Sequence, residues 1–162
     1  MPSRFNDLRI GVRVSLAFVL PLAALLWFTG SFLWTQSETS ERMGRLNALA
    51  GMGTKISDVV HELQKERGVS AGFIGSEGAK FGDRVTEQRV ATDGRLAAMN
   101  AAWSGFPFSD YGGDLAARAE AAQAALSALA DRRRAVSGLD LTVPDMAGYY
   151  TGTIADLLDV IA

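Results

Sequence analysis

The feature of this sequence that most restricts its fold is an uncharged run near the N-terminus. No charged residue occurs from Val14 to Ser37, and the apolar part of the run, Val14 to Trp34, is 21 residues long. At a rise of about 1.5 Å per residue, a helix of that length matches the hydrocarbon core of a bilayer, which is roughly 30 Å thick. The sequence therefore predicts a transmembrane helix over residues 14–34.

The charges that flank this span predict its orientation. Three arginines and one aspartate precede it, and Glu38 and Glu41 follow it. Because basic residues mark the cytoplasmic side, we expect residues 1–13 in the cytoplasm and residues 35–162 outside it. A cleaved signal peptide is the alternative, but the run is longer than the apolar part of a usual signal and no A-x-A cleavage site follows.

Composition argues against several classes of function. The net charge of −2 does not suggest a nucleic-acid surface, and the absence of cysteine excludes disulfides and cysteine metal sites. The sequence contains no glycine-rich phosphate loop, no nucleophile motif and no His/Cys cluster, and the single histidine, His61, is assigned no role. We therefore expect no enzyme activity, no catalytic residue, no metal, no cofactor and no nucleic-acid partner in this sequence, and leave open an output enzyme, such as a cyclase or histidine kinase, beyond residue 162.

The remainder of the chain has helical periodicity, so we predict an all-α fold. The predicted transmembrane helix continues into an antiparallel bundle of about four helices. The first ends near Gly75, the second covers about residues 79–104, the third begins at Asp114, and the fourth begins at Pro144.

The last predicted helix lacks the usual signals of an ending. Its apolar pattern runs to Ala162 without a glycine cap or a basic last turn. We therefore expect the chain to be the N-terminal piece of a longer protein, truncated at residue 162.

An arginine interrupts the apolar face of the first helix. The heptad-like positions of that face are Leu46, Leu49, Gly53, Ile56, Val60, Leu63, Arg67, Ser70 and Ile74. Glu66 is predicted to point away from this face. A guanidinium that faces a core without a partner is costly, so Arg67 must contact a carboxylate on a facing helix or a bound anion. The spacing leaves both possibilities open.

Polar residues also interrupt the second helix, at Gln88 and Thr92. An antiparallel hairpin about residues 77 and 78 would place Arg67 level with Gln88, and Leu63 level with Thr92. The polar positions of the two helices would then meet at one depth, unless Gln88 and Thr92 are ordinary core polar residues or face water. Further on, Arg132–Arg134 is predicted to be a solvated basic turn.

Three segments of the sequence resemble one family. HELQKERGVSAGFIGS at 61–76, EQRVATD at 87–93 and YYTGTIADLLDVI at 149–161 resemble the NIT domain, the nitrate- and nitrite-sensing module of bacterial receptors. The similarity covers about residues 46–162, roughly the first half of such a domain. The N-terminal FNDLRIGVRVSLAFVLPL is similar to the first membrane segment of methyl-accepting chemotaxis receptors.

The resemblance implies a receptor of defined architecture. It would sit in the bacterial inner membrane, contact the lipid bilayer through residues 14–34, and form a homodimer. Its periplasmic helical domain would bind nitrate or nitrite and signal to a cytoplasmic output module, which we expect to serve chemotaxis. The alternatives are the same architecture with another small ligand or a partner protein, and a membrane-anchored helical spacer without a ligand.

The resemblance also implies a ligand residue. The arginine of the family's E-R-G motif, a ligand contact, falls on Arg67, and a second arginine contact would come from beyond residue 162. A planar guanidinium matches two oxygens of planar nitrate, whereas lysine offers charge without that geometry. The neutral donors predicted to complete the site are Gln64, Ser70, Gln88 and Thr92.

Overall fold

The computed structural model describes the backbone of residues 10–162 and the side chains of residues 17–31 and 43–162. The chain forms two compact units, Met1–Asn47 and Ala48–Ala162. The described side chains do not include the predicted cytoplasmic segment, residues 1–13. They also do not include residues 35–42, the start of the predicted external domain. The predicted span, residues 14–34, lies partly outside the described side chains.

Residues 10–162 are helical, with turns and no β-strand, which confirms the all-α prediction. The elements are α1 (Ile10–Gly75), α2 (Gly82–Trp103), a 3₁₀ turn (Phe108–Tyr111), α3 (Gly113–Ser127), α4 (Leu129–Gly138) and α5 (Val143–Asp159). Pro144 lies in the first turn of α5, as predicted, and the side chain of Thr142 caps that helix by accepting from the Asp145 N–H.

Side-chain contacts establish that the second unit is an antiparallel bundle. On α1 and α2, Asp58 pairs with Arg95 while Gly72 packs against Phe81, so the two helices run in opposite directions. On α3 and α5, Arg118 donates to the Asp159 carbonyl, and Tyr149 donates to the Ala125 carbonyl, which is again an antiparallel relation. The core between the helices is aliphatic and aromatic, with Ile56, Leu63, Met99, Met146, Tyr150 and Leu157 at its centre.

The predicted third helix is in fact two helices. The chain leaves the α-helical path at Ala128, whose N–H bonds to the Ala125 carbonyl three residues back. The hydroxyl of Tyr149 donates to the same Ala125 carbonyl at 2.9 Å, so that carbonyl is occupied by a residue from α5. The helical interruption is therefore stabilised by a distant side chain, and residues 10–162 contain five α-helices where about four were predicted.

The connection between α1 and α2 also differs from the symmetric hairpin of the prediction. Phe81, in the left-handed region at φ 69°, folds back onto the last turns of α1. A Cβ added to Gly72 would lie 3.1 Å from two ring carbons of Phe81, so glycine leaves the space that the ring occupies. As a result Phe81 lies beside Gly72 rather than beside Ile74, and Arg95 reaches Asp58 rather than Val60, so residues of α2 lie about two residues (~3 Å) lower along α1 than predicted.

The described part of the first unit exposes large apolar side chains. Every side chain of residues 17–31 is exposed, including Phe18 at 75% and Trp27 at 80%. Within the described residues, no helix combines the length and apolarity needed to cross a bilayer.

Candidate anion-binding site

The charged residue that α1 turns into the core is Glu66, and the prediction that Arg67 occupies this position is wrong. One row of buried side chains on α1 recurs at alternating intervals of four and three residues, and Val60 and Glu62 beside it are buried as well; the row is Met52, Ile56, Val59, Leu63, Glu66 and Ser70. The predicted face shares Ile56, Leu63 and Ser70 with this row, and its Val60 is buried too, but it has Gly53 and Arg67 where the row has Met52 and Glu66. Glu66 is fully buried, at 0% exposure, whereas Arg67 is partly exposed.

Glu66 is held by side chains from α4 and α5. Arg133 binds both carboxylate oxygens, with Nε–Oε1 at 2.7 Å and Nη2–Oε2 at 2.8 Å. The Tyr150 hydroxyl donates to Oε1 at 2.9 Å. A buried carboxylate is tolerated when it is paired and hydrogen-bonded in this bidentate way. We call Glu66, Arg133 and Tyr150 the buried cluster; it joins α1, α4 and α5.

The protonation states of the buried cluster suit these contacts. Burial lowers the pKa of Arg133, but hydrogen bonds to Glu66 and Asp93 outweigh burial and raise it overall. Burial and the negative charge of Glu66 raise the pKa of the Tyr150 hydroxyl, which therefore keeps its proton and donates it. The prediction that Arg132–Arg134 is a solvated turn is thus wrong for Arg133, whose side chain is only 14% exposed.

Two polar atoms near the cluster have no hydrogen-bond partner among the described residues. They are Ser70 Oγ, one turn after Glu66 on α1, and Arg89 Nε on α2. Arg89 Nε lies 3.8 Å from Glu66 Oε1, too far for a hydrogen bond, while its other nitrogens donate to the Ser137 hydroxyl and the Arg133 carbonyl. The interior around Glu66 therefore retains unused hydrogen-bonding capacity.

Arg67 lies next to this cluster but faces outward. Its Nη1 donates to Thr151 Oγ1 at 2.9 Å. Among the described side chains, no carboxylate comes within 4.0 Å of its guanidinium. The sequence left two partners open for Arg67, a carboxylate on a facing helix or a bound anion. The ion pair between helices is made by Arg133 and Glu66 instead, and most N–H donors of Arg67 remain available to an anion.

The four predicted neutral donors lie in different surroundings and do not converge on Arg67. Gln64 is exposed, and Ser70 is buried with its hydroxyl unpartnered. The Gln88 amide donates to Glu62 Oε2 at 2.6 Å and not to anything at the level of Arg67, because α2 lies lower along α1 than predicted. Thr92 is buried, and its hydroxyl donates to the Gln88 carbonyl of its own helix.

A second basic surface lies between α1 and α2. It is an open groove of about 470 Å³ lined by Lys65, Gly68, Val69, Gly72, Phe81, Arg84 and Gln88. Lys65 in this groove is already bonded to Glu62 at 3.0 Å. Hydrogen bonds from Gln88 and then Lys65 lower the pKa of Glu62, so its carboxylate stays charged and offsets part of the positive charge of the groove.

Comparison with known proteins identifies the family. A family profile described as "Nitrate and nitrite sensing", named NIT, matches residues 58–162. The chain belongs to the NIT family. Comparison with curated protein sequences gives no match.

One solved structure resembles this NIT domain. The structure of the NasR transcription antiterminator superimposes with a TM-score of 0.72 at 22% identity, over 85% of this chain and 36% of that chain. At such low identity the likeness establishes a shared fold. The chain spans about a third of the length of that protein.

The family match places both charged residues of the E-R-G motif inside the NIT domain, where their positions differ. Glu66 belongs to the interior and Arg67 to the surface beside Thr151. Sequence reasoning missed the roles of Glu66, Arg133 and Tyr150. The signal available was the alternative phase of α1, since Met52 and Val59 are better core residues than Gly53 and lead to Glu66 rather than Arg67.

Proposed function

We propose that this NIT domain senses nitrate or nitrite through Arg67. The observation that carries the proposal is that the guanidinium of Arg67 has one neutral partner, the Thr151 hydroxyl, and no carboxylate among the described side chains. The motif's acidic neighbour, Glu66, is occupied by Arg133 and Tyr150 and does not neutralise it. The positive charge of Arg67 is therefore available to an anion at the bundle surface.

The chemistry of the guanidinium suits the family's ligand. Nitrate and nitrite are small planar anions, and an arginine offers parallel N–H donors in one plane. The neutral donors proposed with it are Gln64, Ser70, Gln88 and Thr92, but they do not surround Arg67 in this structure, so a bound anion would have to draw them in from their present positions. Gln64 lies one turn before Arg67 and is exposed, whereas Gln88 and Thr92 would have to exchange existing partners.

We also propose that the domain belongs to a membrane receptor rather than to an enzyme. The exposed apolar side chains of residues 17–31 support an anchor over residues 14–34, because such a surface is unfavourable in water. In this architecture residues 35–162 lie in the periplasm, and a homodimer transmits the signal to a cytoplasmic output module such as one for chemotaxis. The alternative is the same receptor with another small ligand or a partner protein.

Titration of the purified full-length protein tests the ligand. We expect calorimetry to show saturable binding of nitrate or nitrite, and sulfate, which an arginine can also bind through two N–H donors, is titrated in parallel to measure specificity. Binding of a different small anion with neither nitrate nor nitrite bound would favour the alternative ligand. Absence of binding for all of them would contradict the anion-sensor proposal.

A topology measurement tests the location. A reporter that is active only in the periplasm, fused after Ser40, should give signal, because arginines dominate before the apolar run and acidic residues follow it. The control is the same reporter fused after Phe5, where we expect none. Signal from the second fusion alone would reverse the orientation and contradict a periplasmic sensor.

A further inference from the structure

We infer that Thr151 is a positioning residue for the anion site, which holds the guanidinium of Arg67 in place before the anion arrives. The inference rests on the proposed function of Arg67. It starts from the 2.9 Å hydrogen bond in which Arg67 Nη1 donates to Thr151 Oγ1. Within the described residues, this is the polar contact that links the Arg67 side chain to another helix.

The position of Thr151 is itself set by the buried cluster. Two consecutive residues of α5, Tyr150 and Thr151, bond two consecutive residues of α1, Glu66 and Arg67. The inner bond, from Tyr150 to Glu66, is fully buried, so it fixes α5 against α1 at this level. Because this bond holds α5 in place against α1, the Thr151 hydroxyl on the exposed side of α5 has a fixed position. Arg67 therefore has a fixed hydrogen-bond acceptor.

The hydrogen bond leaves the ligand-binding capacity of Arg67 largely intact. A guanidinium has five N–H donors, and Thr151 occupies one of them. A long, partly exposed arginine would otherwise lose much rotamer freedom on binding an anion, which weakens binding. Because Thr151 restricts the Arg67 side chain before the anion binds, the N–H donors of the guanidinium are already ordered when the anion arrives. The hydroxyl acts through Arg67, so its effect should be the same for nitrate and nitrite.

Substitutions at Thr151 in the full-length protein test this inference. Thr151→Val removes the acceptor but keeps shape and helix propensity, and it should weaken nitrate and nitrite binding equally, by about three- to tenfold. Thr151→Ser restores the acceptor and should bind within about twofold of the wild type. The matched control is Thr86→Val, an exposed threonine of α2 whose hydroxyl bonds its own helix; it should change neither affinity nor melting temperature.

The other outcomes overturn the inference in distinguishable ways. Unchanged affinity in Thr151→Val would show that Arg67 needs no support, and tighter binding would show that Thr151 competes with the anion. Loss for nitrate alone would make Thr151 a direct contact to the third oxygen. In each of these cases an Arg67→Ala variant that fails to bind still supports the proposed function. If the wild type binds neither anion, both proposals fail together.

Discussion

Arg67→Ala should abolish nitrate binding in the full-length protein, with a loss of affinity of at least about a hundredfold. Two charge-assisted hydrogen bonds of a planar donor group account for a loss of that size. Folding stability should change little, because Arg67 is partly exposed and, among the described residues, its hydrogen bond is to the Thr151 hydroxyl. Calorimetric titration and a thermal melt of the same preparation measure both effects.

Two further variants sharpen the result for Arg67. Arg67→Lys keeps the charge but loses the planar donors, so most of the binding should be lost as well. Arg84→Ala removes an arginine from the basic groove between α1 and α2 and should bind nitrate normally. If binding disappears with Arg84 rather than with Arg67, the groove is the site. Normal binding in Arg67→Ala with a large fall in melting temperature would mean that Arg67 only holds the bundle together.

Arg133→Met should destabilise the domain by roughly 3–5 kcal/mol, because it leaves the fully buried Glu66 carboxylate without its bidentate partner. The chain offers a neighbouring control in Arg134, whose exposed side chain pairs with exposed Asp131 one turn away. Arg134→Met should cost less than about 1 kcal/mol. Chemical denaturation of the two variants, followed by helical circular dichroism, compares them directly.

A second substitution separates the stranded charge from general loss of packing. Glu66→Leu, added to Arg133→Met, removes a carboxylate left with Arg89 at 3.8 Å in place of a bidentate partner, and should recover part of the lost stability. The recovery will be incomplete, because the Tyr150 hydroxyl then loses its acceptor in the core. If the double variant is no more stable than Arg133→Met, the cost does not come from the buried charge of Glu66.

Much of the fold follows from local sequence, because helices are decided by periodicity and by their ends. Thr142, Pro144 and Asp145 identify the start of α5 without tertiary information. Which face of α1 turns toward the core is harder to predict. Heptad positions alternate between intervals of three and four, so a row that starts at Gly53 and a row that starts at Met52 are both plausible and share Ile56 and Leu63. The choice between them decides whether Arg67 or Glu66 is buried, and with it the whole chemistry of the site.

What could not be predicted depends on residues far apart in sequence. The break between α3 and α4 involves Tyr149, and the partner of Glu66 is one of three consecutive arginines on α4. Helix propensity does not distinguish Arg133 from Arg132 or Arg134; their positions around the helix relative to α1 do. The register of α2 was missed because it depends on Phe81 folding back over Gly72. The ligand roles of Arg67 and its four predicted companions stay predictions.

The partners of Glu66 also impose an order on the folding of the chain. Arg133 and Tyr150 lie 67 and 84 residues further along, so neither exists when α1 leaves the ribosome. Before α4 and α5 have been made, Arg89 on α2 offers Glu66 a counter-charge at 3.8 Å, but water must supply the hydrogen bonds that Arg133 and Tyr150 make in the folded domain. Docking of the last two helices thus completes the interior in one late, long-range step, which favours slow and cooperative folding over helix-by-helix assembly.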